Sequence, residues 1–302
     1  METKSAFIAI VGRANVGKSS LLNVLVGEKV AIVSKKPQTT RNRITGIVTR
    51  GDTQIVFIDT PGIHRPHTKL SEYMLREIGE GIAGVDAAAM LTEPTGPITP
   101  DERDLATRLL ARGVPTILAV NKCDLLGDKS QMLPKIAEFT EEFAFEHVFP
   151  ISVLKGEGVA ELAECLESYA VSGPHYFDAD SYTDQPERVI VSEMIREKLL
   201  INLRDELPHG IAVEIEKMRE RGANNQDEGD PMVDIEALIY CERDNHKGMV
   251  IGKKGIMLKT VGSQARMDIE RLLGARVNLQ LHVKVREGWR NRETVMRGMG
   301  FK

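Results

Sequence analysis

Phe7-Ile8-Ala9-Ile10-Val11 leads without interruption into Gly12-Arg13-Ala14-Asn15-Val16-Gly17-Lys18-Ser19-Ser20, and this stretch decides how the chain is read. Five consecutive apolar residues predict a strand buried on both faces, as in parallel sheets. The octet that follows fits G-x-x-x-x-G-K-S, and the apolar spacing of Ser19 to Val26 predicts the helix it opens. Glycines let the backbone wrap around phosphates, so that successive N–H groups and the helix N-terminus meet negative charge. Lys18 is expected at the β and γ phosphates, and the Ser19 hydroxyl on Mg²⁺. Gly12, Asn15, Val16, Gly17, Lys18, Ser19 and Ser20 form the predicted phosphate cradle.

Two further motifs follow at predicted strand ends. Asp59-Thr60-Pro61-Gly62 ends the apolar run Gln54 to Ile58, which places the Asp59 carboxylate beside Ser19 to hold magnesium, while the Gly62 N–H is free of side-chain bulk to sense a γ-phosphate. Between the two, Gln38-Thr39-Thr40-Arg41 is the segment that can supply another metal-sensing hydroxyl, with Thr40 favoured over Thr39. Asn121-Lys122-Cys123-Asp124 follows the run Pro115 to Val120 and selects the base. Guanine offers N1–H and N2–H₂ as adjacent donors to one carboxylate, whereas adenine would leave Asp124 facing an acceptor and a C–H, a costly mismatch. Asn121 is expected to brace the loops, Lys122 to cover the base with its alkyl stem, and the backbone around Ser152 and Val153 to donate to guanine O6.

Outward from these motifs, the first 170 residues alternate apolar runs (Val148 to Ile151 is another) with helical patterns over Leu70 to Ile78, Asp101 to Leu110 and Val159 to Tyr169. That is the signature of βαβ units. The length of 302 residues suits about two domains, and we read 1–172 as a nucleotide-binding α/β domain with a mostly parallel sheet, 173–187 as a linker and 188–302 as a smaller α+β module. In that module a helix from Arg188 to Leu203 precedes strands Ile211 to Met218 and Val233 to Cys241, separated by a polar loop, Arg219 to Asp230. A helix from Ile256 to Leu273 and a strand Val277 to Val285 complete an antiparallel-looking sheet.

Composition narrows the function. With 42% apolar and 28% charged residues the chain is neither disordered nor collagen-like, and no stretch approaches the roughly 20 apolar residues of a bilayer span. Cys123, Cys165 and Cys241 are too scattered for a disulfide framework or a zinc site, and His64 with His67 supplies half a site at most. The start Ala6 to Val11 lacks a signal-peptide cleavage pattern, so a cytosolic protein is expected. From His246 to Lys302 there are 13 Lys or Arg against 4 acidic residues, a net +9 that leaves −13 on the rest of a chain of net charge −4. One-sided charge of this kind points to a polyanion, nucleic acid ahead of membrane. Gly252-Lys253-Lys254-Gly255 lies inside it, between a strand pair and a helix, and reads as a loop that clamps a nucleic-acid backbone. Val250, Ile251 and Lys259 join it as candidate contacts, Gly81-Ile82-Ala83-Gly84 reads as structural, and Trp289 reads as an anchor for the last helix ahead of a base-stacking ring.

Together GRANVGKSS, PQTTRNR, DTPGIH, NKCD and VIGKKG resemble the Era family of bacterial ribosome-assembly GTPases, which end in a KH RNA-binding domain of type II, and the resemblance extends to PHYFDADSYTDQ and VKVREGW. It implies a GTP/GDP switch that binds 16S-type ribosomal RNA near its 3′ end and assists 30S subunit biogenesis, with the small ribosomal subunit as partner. A cytoplasmic monomer is expected, and the resemblance leaves room for peripheral contact with the inner face of the cell membrane, although no basic amphipathic helix stands out. Ala14 and Val153 depart from the family's usual proline and alanine. Ile63 stands where many GTPases orient water with glutamine, so hydrolysis must use other means. In relatives resembling this domain a K⁺ held partly by the asparagine at the position of Asn15 supplies that charge, which makes Lys18, Thr40, Gly62 and Asn15 the catalytic candidates. The alternatives are a GTPase acting on another RNA such as tRNA, an RNA-binding protein with a vestigial nucleotide domain, and a P-loop kinase or ATPase, which Asp124 disfavours.

Overall fold

The computed structural model describes residues 2–36, 38–62, 68–203, 210–221, 232–298 and 301. Ile63, the pair His64 and His67, and most of the loop ending at Asp230 lie outside them. The described residues form two compact units, the first built from the chain up to Asp184, the second from Gln185 onward together with Ser34–Thr39 and Thr68–Leu70.

In the first unit, strands β1 (Lys4–Gly12), β2 (Ile44–Arg50), β3 (Thr53–Asp59), β4 (Ala87–Thr92), β5 (Thr116–Val120), β6 (His147–Pro150) and β7 (Val171–Ser172) alternate with helices α1 (Lys18–Val26), α2 (Lys69–Gly81), α3 (Pro100–Ala111), α4 (Leu133–Glu142) and α5 (Val159–Glu167). The sheet order is β2-β3-β1-β4-β5-β6, with β7 on the free end of β1. Only β2 on β3 and β7 on β1 are antiparallel. Strand β1 shows why the opening sequence is uniformly apolar. Ala6, Ile8 and Ile10 pack with Leu21, Leu22 and Leu25 of α1 and Leu162 and Leu166 of α5, while Ala9 and Val11 pack with Leu105 and Leu109 of α3 and Phe139 of α4. The strand order reverses at β1, so a crevice opens beyond its carboxyl end, the place where open α/β sheets bind ligands.

Strands β2 and β4 and helix α4 have no counterpart in the sequence-based reading. Ala87-Ala88-Ala89 lacks the β-branched residues that mark strands, yet all of β4 is buried. In β2, Gly46 brings the strand under α1 so closely that a Cβ there would lie 2.6 Å from Leu22 and 2.7 Å from Val26. The stretch expected as a linker is bound along its length. Fully buried Gln54 accepts from the N–H groups of Tyr176 (2.7 Å) and Phe177 (3.0 Å) and donates to the Phe177 carbonyl (2.9 Å). Farther on, the Tyr182 carbonyl accepts from Ile47 N–H at 3.0 Å, and the Thr183 hydroxyl donates to the Thr45 carbonyl at 2.7 Å.

The second unit runs α6 (Glu187–Asn202), β8 (Ala212–Arg221), β9 (Met232–Cys241), α7 (Asp244–Ile251), α8 (Ile256–Leu273), β10 (Arg276–Val285) and α9 (Glu293–Gly298). Its sheet corrects the antiparallel expectation: β8 and β9 are antiparallel, but β9 and β10 are parallel. The reason is the connection, because α7 and α8 carry the chain back across one face before β10 begins, and such a crossover delivers a parallel strand. Trp289 is fully buried, stacks on Phe301 and donates its indole N–H to the Gly210 carbonyl at 2.9 Å, so it is an anchor and not a surface ring.

Gln54 therefore ties the 176–177 backbone to β3. Gln54→Ala should lower the stability of the first unit by about 2–4 kcal/mol in urea titration, since it orphans several buried polar groups at once. Limited proteolysis should then cut near residue 177 faster than in the parent protein.

Candidate functional site

The crevice beyond β1 is lined by loops whose backbone only particular residues tolerate. Gly12 has φ +145°, and a Cβ there would lie 2.5 Å from the Leu91 carbonyl oxygen. Gly17, at φ +105°, is the N-cap of α1 and offers no side chain to the helix's first N–H groups. They stay available to an anion. Asn15, exposed at the tip, takes the left-handed conformation at φ 65°, which asparagine accepts better than most residues. Ala14, on the same loop, lies against the second motif, because a Cβ on Gly62 would stand 2.6 Å from the Ala14 Cα.

Lys18 and Asp59 are both buried here. The Lys18 ammonium donates to the carbonyls of Gly12 (3.1 Å) and Arg13 (2.9 Å), and loss of hydration lowers its pKa to about 8 despite the nearby Asp59 charge. Burial pushes the Asp59 carboxyl up to about 6, against the opposing pull of Lys18 and of hydrogen bonds from Ser19 and Thr40. Ser19 Oγ donates to Asp59 Oδ2 at 2.6 Å and lies 2.8 Å from Thr40 Oγ1. Asp59 Oδ1 is buried without a hydrogen-bond partner. One carboxylate with an unpaired oxygen and two hydroxyls make an oxygen-only donor set, which suits a hard cation that takes its remaining ligands from phosphate and water. The residues fit Mg²⁺. Thr39 is directed elsewhere, donating to the Lys36 carbonyl at 2.6 Å and pairing with Ser34 Oγ at 2.7 Å.

At the ends of β5 and β6 the base-selecting residues come together. Asn121 donates to the Val16 carbonyl at 2.8 Å and accepts from Val153 N–H at 3.0 Å, bracing two loops as expected. Asp124 Oδ1 accepts from Ser152 Oγ at 2.6 Å, which orients the carboxylate. Ser152 N–H is bound to the Glu157 carbonyl and Val153 N–H to Asn121, because the loop closes on itself, so both are occupied. From Ser152 to Lys155, the amide without an acceptor among the described residues is that of Leu154, which is 81% exposed. Sequence reading does not single it out within that stretch, because backbone availability leaves no trace in residue type.

In the second unit, Gly252-Lys253-Lys254-Gly255 joins α7 to α8. Gly252 (φ 72°) would place a Cβ 2.6 Å from that of Met257, and Lys254 and Gly255 are also left-handed at φ 53° and 76°. Lys253, Lys254 and Lys259 are exposed and Ile251 is half-buried. Val250 is fully buried in the second core, so its side chain supports the loop from beneath and does not reach the surface. Ile256 is 63% exposed and stands out on the loop's other side.

A metal held by Asp59 would compete with the proton there, whose pKa burial raises to about 6. With Mg²⁺ below saturation, its contribution to nucleotide affinity should be full above pH 7 and fall about tenfold per unit once the pH drops below 6. Asp59→Asn should abolish it at every pH. Titration of fluorescent GDP with Mg²⁺ or EDTA reads both effects.

Residues 7–122 match the family described as 50S ribosome-binding GTPase, and residues 206–290 match the KH domain family. The chain is 48% identical over 298 residues to the GTPase Era of Clostridioides difficile strain 630, covering 99% of this chain and 98% of that protein. It is 46% identical over 301 residues to the GTPase Era of Caldanaerobacter subterraneus subsp. tengcongensis, covering 100% and 99%. Among solved structures, an Aquifex aeolicus Era variant bound to GDP and aluminium fluoride superposes with a TM-score of 0.93 at 36% identity, over 99% of both chains. An Era in complex with MgGDPNP and nucleotides 1506–1542 of 16S ribosomal RNA gives the same TM-score, identity and coverage. Because the likeness runs through both units, with the glycine-rich loop, the Asn121–Asp124 loop and the lysine loop all in place, the chain belongs to the Era family and is a GTPase that carries a C-terminal KH domain.

Proposed function

We propose that this GTPase is a switch that binds small-subunit ribosomal RNA near its 3′ end and assists assembly of the 30S subunit. The observation that carries the reading is the loop Gly252–Gly255, with left-handed glycines and two exposed lysines at the mouth of α8. Backbone can approach phosphate closely there, and charge supplies the attraction. The likeness to an Era that binds a 16S rRNA fragment supports the same target. In this reading Gly252, Lys253, Lys254 and Gly255 hold the RNA backbone, Lys259 adds charge, and Ile251 with Ile256 meets the bases.

At the other site, the amides of Asn15, Val16, Gly17, Lys18, Ser19 and Ser20 cradle GTP or GDP phosphates, and Gly12 lets the chain turn beneath them. Ser19, Thr40 and Asp59 hold Mg²⁺, directly or through water, and Thr39 does not. Mg²⁺, when bound, offsets charge on the β and γ phosphates, which is the chemistry it supplies to hydrolysis. Asp124 selects guanine, Asn121 braces its loop, Lys122 covers the base and Leu154 N–H meets O6. Lys18, Thr40 and Gly62 gather around the γ-phosphate, and Asn15 contributes to a K⁺ site that supplies further positive charge. Thr40 and Gly62 contacts then order their loops in the GTP state. Among the described residues no helix is long and apolar enough to cross a membrane. We place the protein in the cytoplasm as a monomer.

RNA crosslinked to the protein in cells and sequenced should be dominated by the 3′ end of small-subunit rRNA; dominance of tRNA would replace this reading with the other RNA target. Lys253→Ala with Lys254→Ala should weaken RNA binding about tenfold at low salt and flatten the salt dependence by about one unit in log–log slope, without changing GTP turnover in the absence of RNA. Asp124→Asn should favour xanthosine over guanosine nucleotides by about a hundredfold relative to the parent in competition binding. Replacing K⁺ by Na⁺ should slow hydrolysis, and an unchanged rate would remove Asn15 from the catalytic set.

A further inference from the structure

Strand β4 ends beside β5, with the Asn121 N–H donating to the Thr92 carbonyl at 2.9 Å, so the residues that follow, Glu93 and Lys122, emerge from adjacent strand ends. Lys122 Nζ stands 2.5 Å from Glu93 Oε1. The pair is partly exposed, 31% for the lysine side chain and 44% for the glutamate. Both partners stand on unusually constrained backbone. Lys122 is left-handed at φ 68°, held between the two bonds of Asn121 and the Cys123 N–H bond to the Ile151 carbonyl. On the other side the β4 end is pinned from within. Thr92 Oγ1 donates to buried Glu102 at 2.7 Å, and Glu102 also accepts from Thr99 N–H at 2.9 Å and faces buried Lys135 at 3.6 Å.

We propose that Glu93 is a positioning residue for nucleotide binding, fixing Lys122 so that its alkyl stem covers the purine before the ligand arrives. The inference rests on the reading of Lys122 as the residue over the base. A free lysine would surrender most of its rotamer freedom on binding. A lysine already held by a carboxylate surrenders less, and rigidity supplied in advance appears as affinity. The glutamate also neutralises the ammonium, so the stem presents an apolar surface without adding net charge near the base. An alkyl stem does not distinguish the edges of bases or the number of phosphates. Glu93 therefore acts on GTP and GDP alike and leaves base choice to Asp124.

The test is a double-mutant cycle on the full chain, with Glu93→Gln, Lys122→Ala and the double variant titrated with fluorescent GDP and a non-hydrolysable GTP analogue. Glu93→Gln should weaken both ligands by about two- to fivefold, the range for a partly exposed ion pair acting through preorganisation. Its KM for GTP should rise while kcat at saturation and the preference for guanine over xanthine stay at parent values. The loss should shrink as salt is raised from about 0.05 to about 0.5 M, a range over which screening becomes strong. In the double variant, Glu93→Gln should add nothing to Lys122→Ala. Additive losses, a loss confined to one ligand, or parent affinity in Glu93→Gln while Lys122→Ala is impaired would overturn the role of Glu93 alone. Parent affinity in Lys122→Ala would overturn the role of Lys122 and this inference with it. A thermal midpoint of Glu93→Gln equal to that of the parent separates positioning from loss of fold.

Discussion

A lysine and an aspartate buried within electrostatic reach of each other at the carboxyl edge of the sheet impose the central constraint on this molecule. Neither is comfortable there: desolvation draws the lysine pKa down and the aspartate pKa up. Parallel pairing of β1 with β3, which sets Ile10 opposite Asp59, brings the two motifs together, and the apolar layers on both faces of β1 keep water away. Polyphosphate and a hard divalent cation match what the two groups lack, an anion for Lys18 and a cation for the unpaired oxygen of Asp59.

Around that pair the loops are held by close approach as much as by hydrogen bonds. A Cβ on Gly17 would lie 2.3 Å from Asn121 Nδ2, and the same amide group reaches Val16 and Val153. One side chain thus joins the phosphate loop to the base loop. Its neighbour Lys122 is held from the end of β4 by Glu93, so groups from the ends of three strands meet here. The KH unit follows a related principle with fewer parts: Gly252 allows Met257 to close on the loop, buried Val250 supports it, and the lysines are left in water.

Much of this was legible in residue order. The P-loop, Asp59 to Gly62, Asn121 to Asp124 and Gly252 to Gly255 depend on residue types at short spacing, because a tight turn, a carboxylate or a backbone without a side chain is a local requirement. Helix α8 was expected over Ile256 to Leu273, the span it occupies, since its apolar periodicity is long and glycine bounds it at both ends. Strand β4 was not expected, because alanine is in place there for the space it leaves between layers, and spacing between layers is no property of a single segment.

The amino-acid sequence by itself determined the chemistry available: the glycine-rich loop with Lys18 and Ser19, the carboxylates Asp59 and Asp124 at strand ends, and the loop that carries lysines, all encoded within a few neighbouring residues. Tertiary structure alone decided how those groups are used. It separated Thr40, which faces Ser19, from Thr39, which faces Lys36. It occupied the amides of Ser152 and Val153 and left Leu154 open, turned Trp289 and Val250 inward, made β9 and β10 parallel, and set Glu93 against Lys122. Each of these outcomes turns on which atoms lie opposite one another after strands pair and helices pack, and contacts between distant segments exist only once the chain has closed on itself.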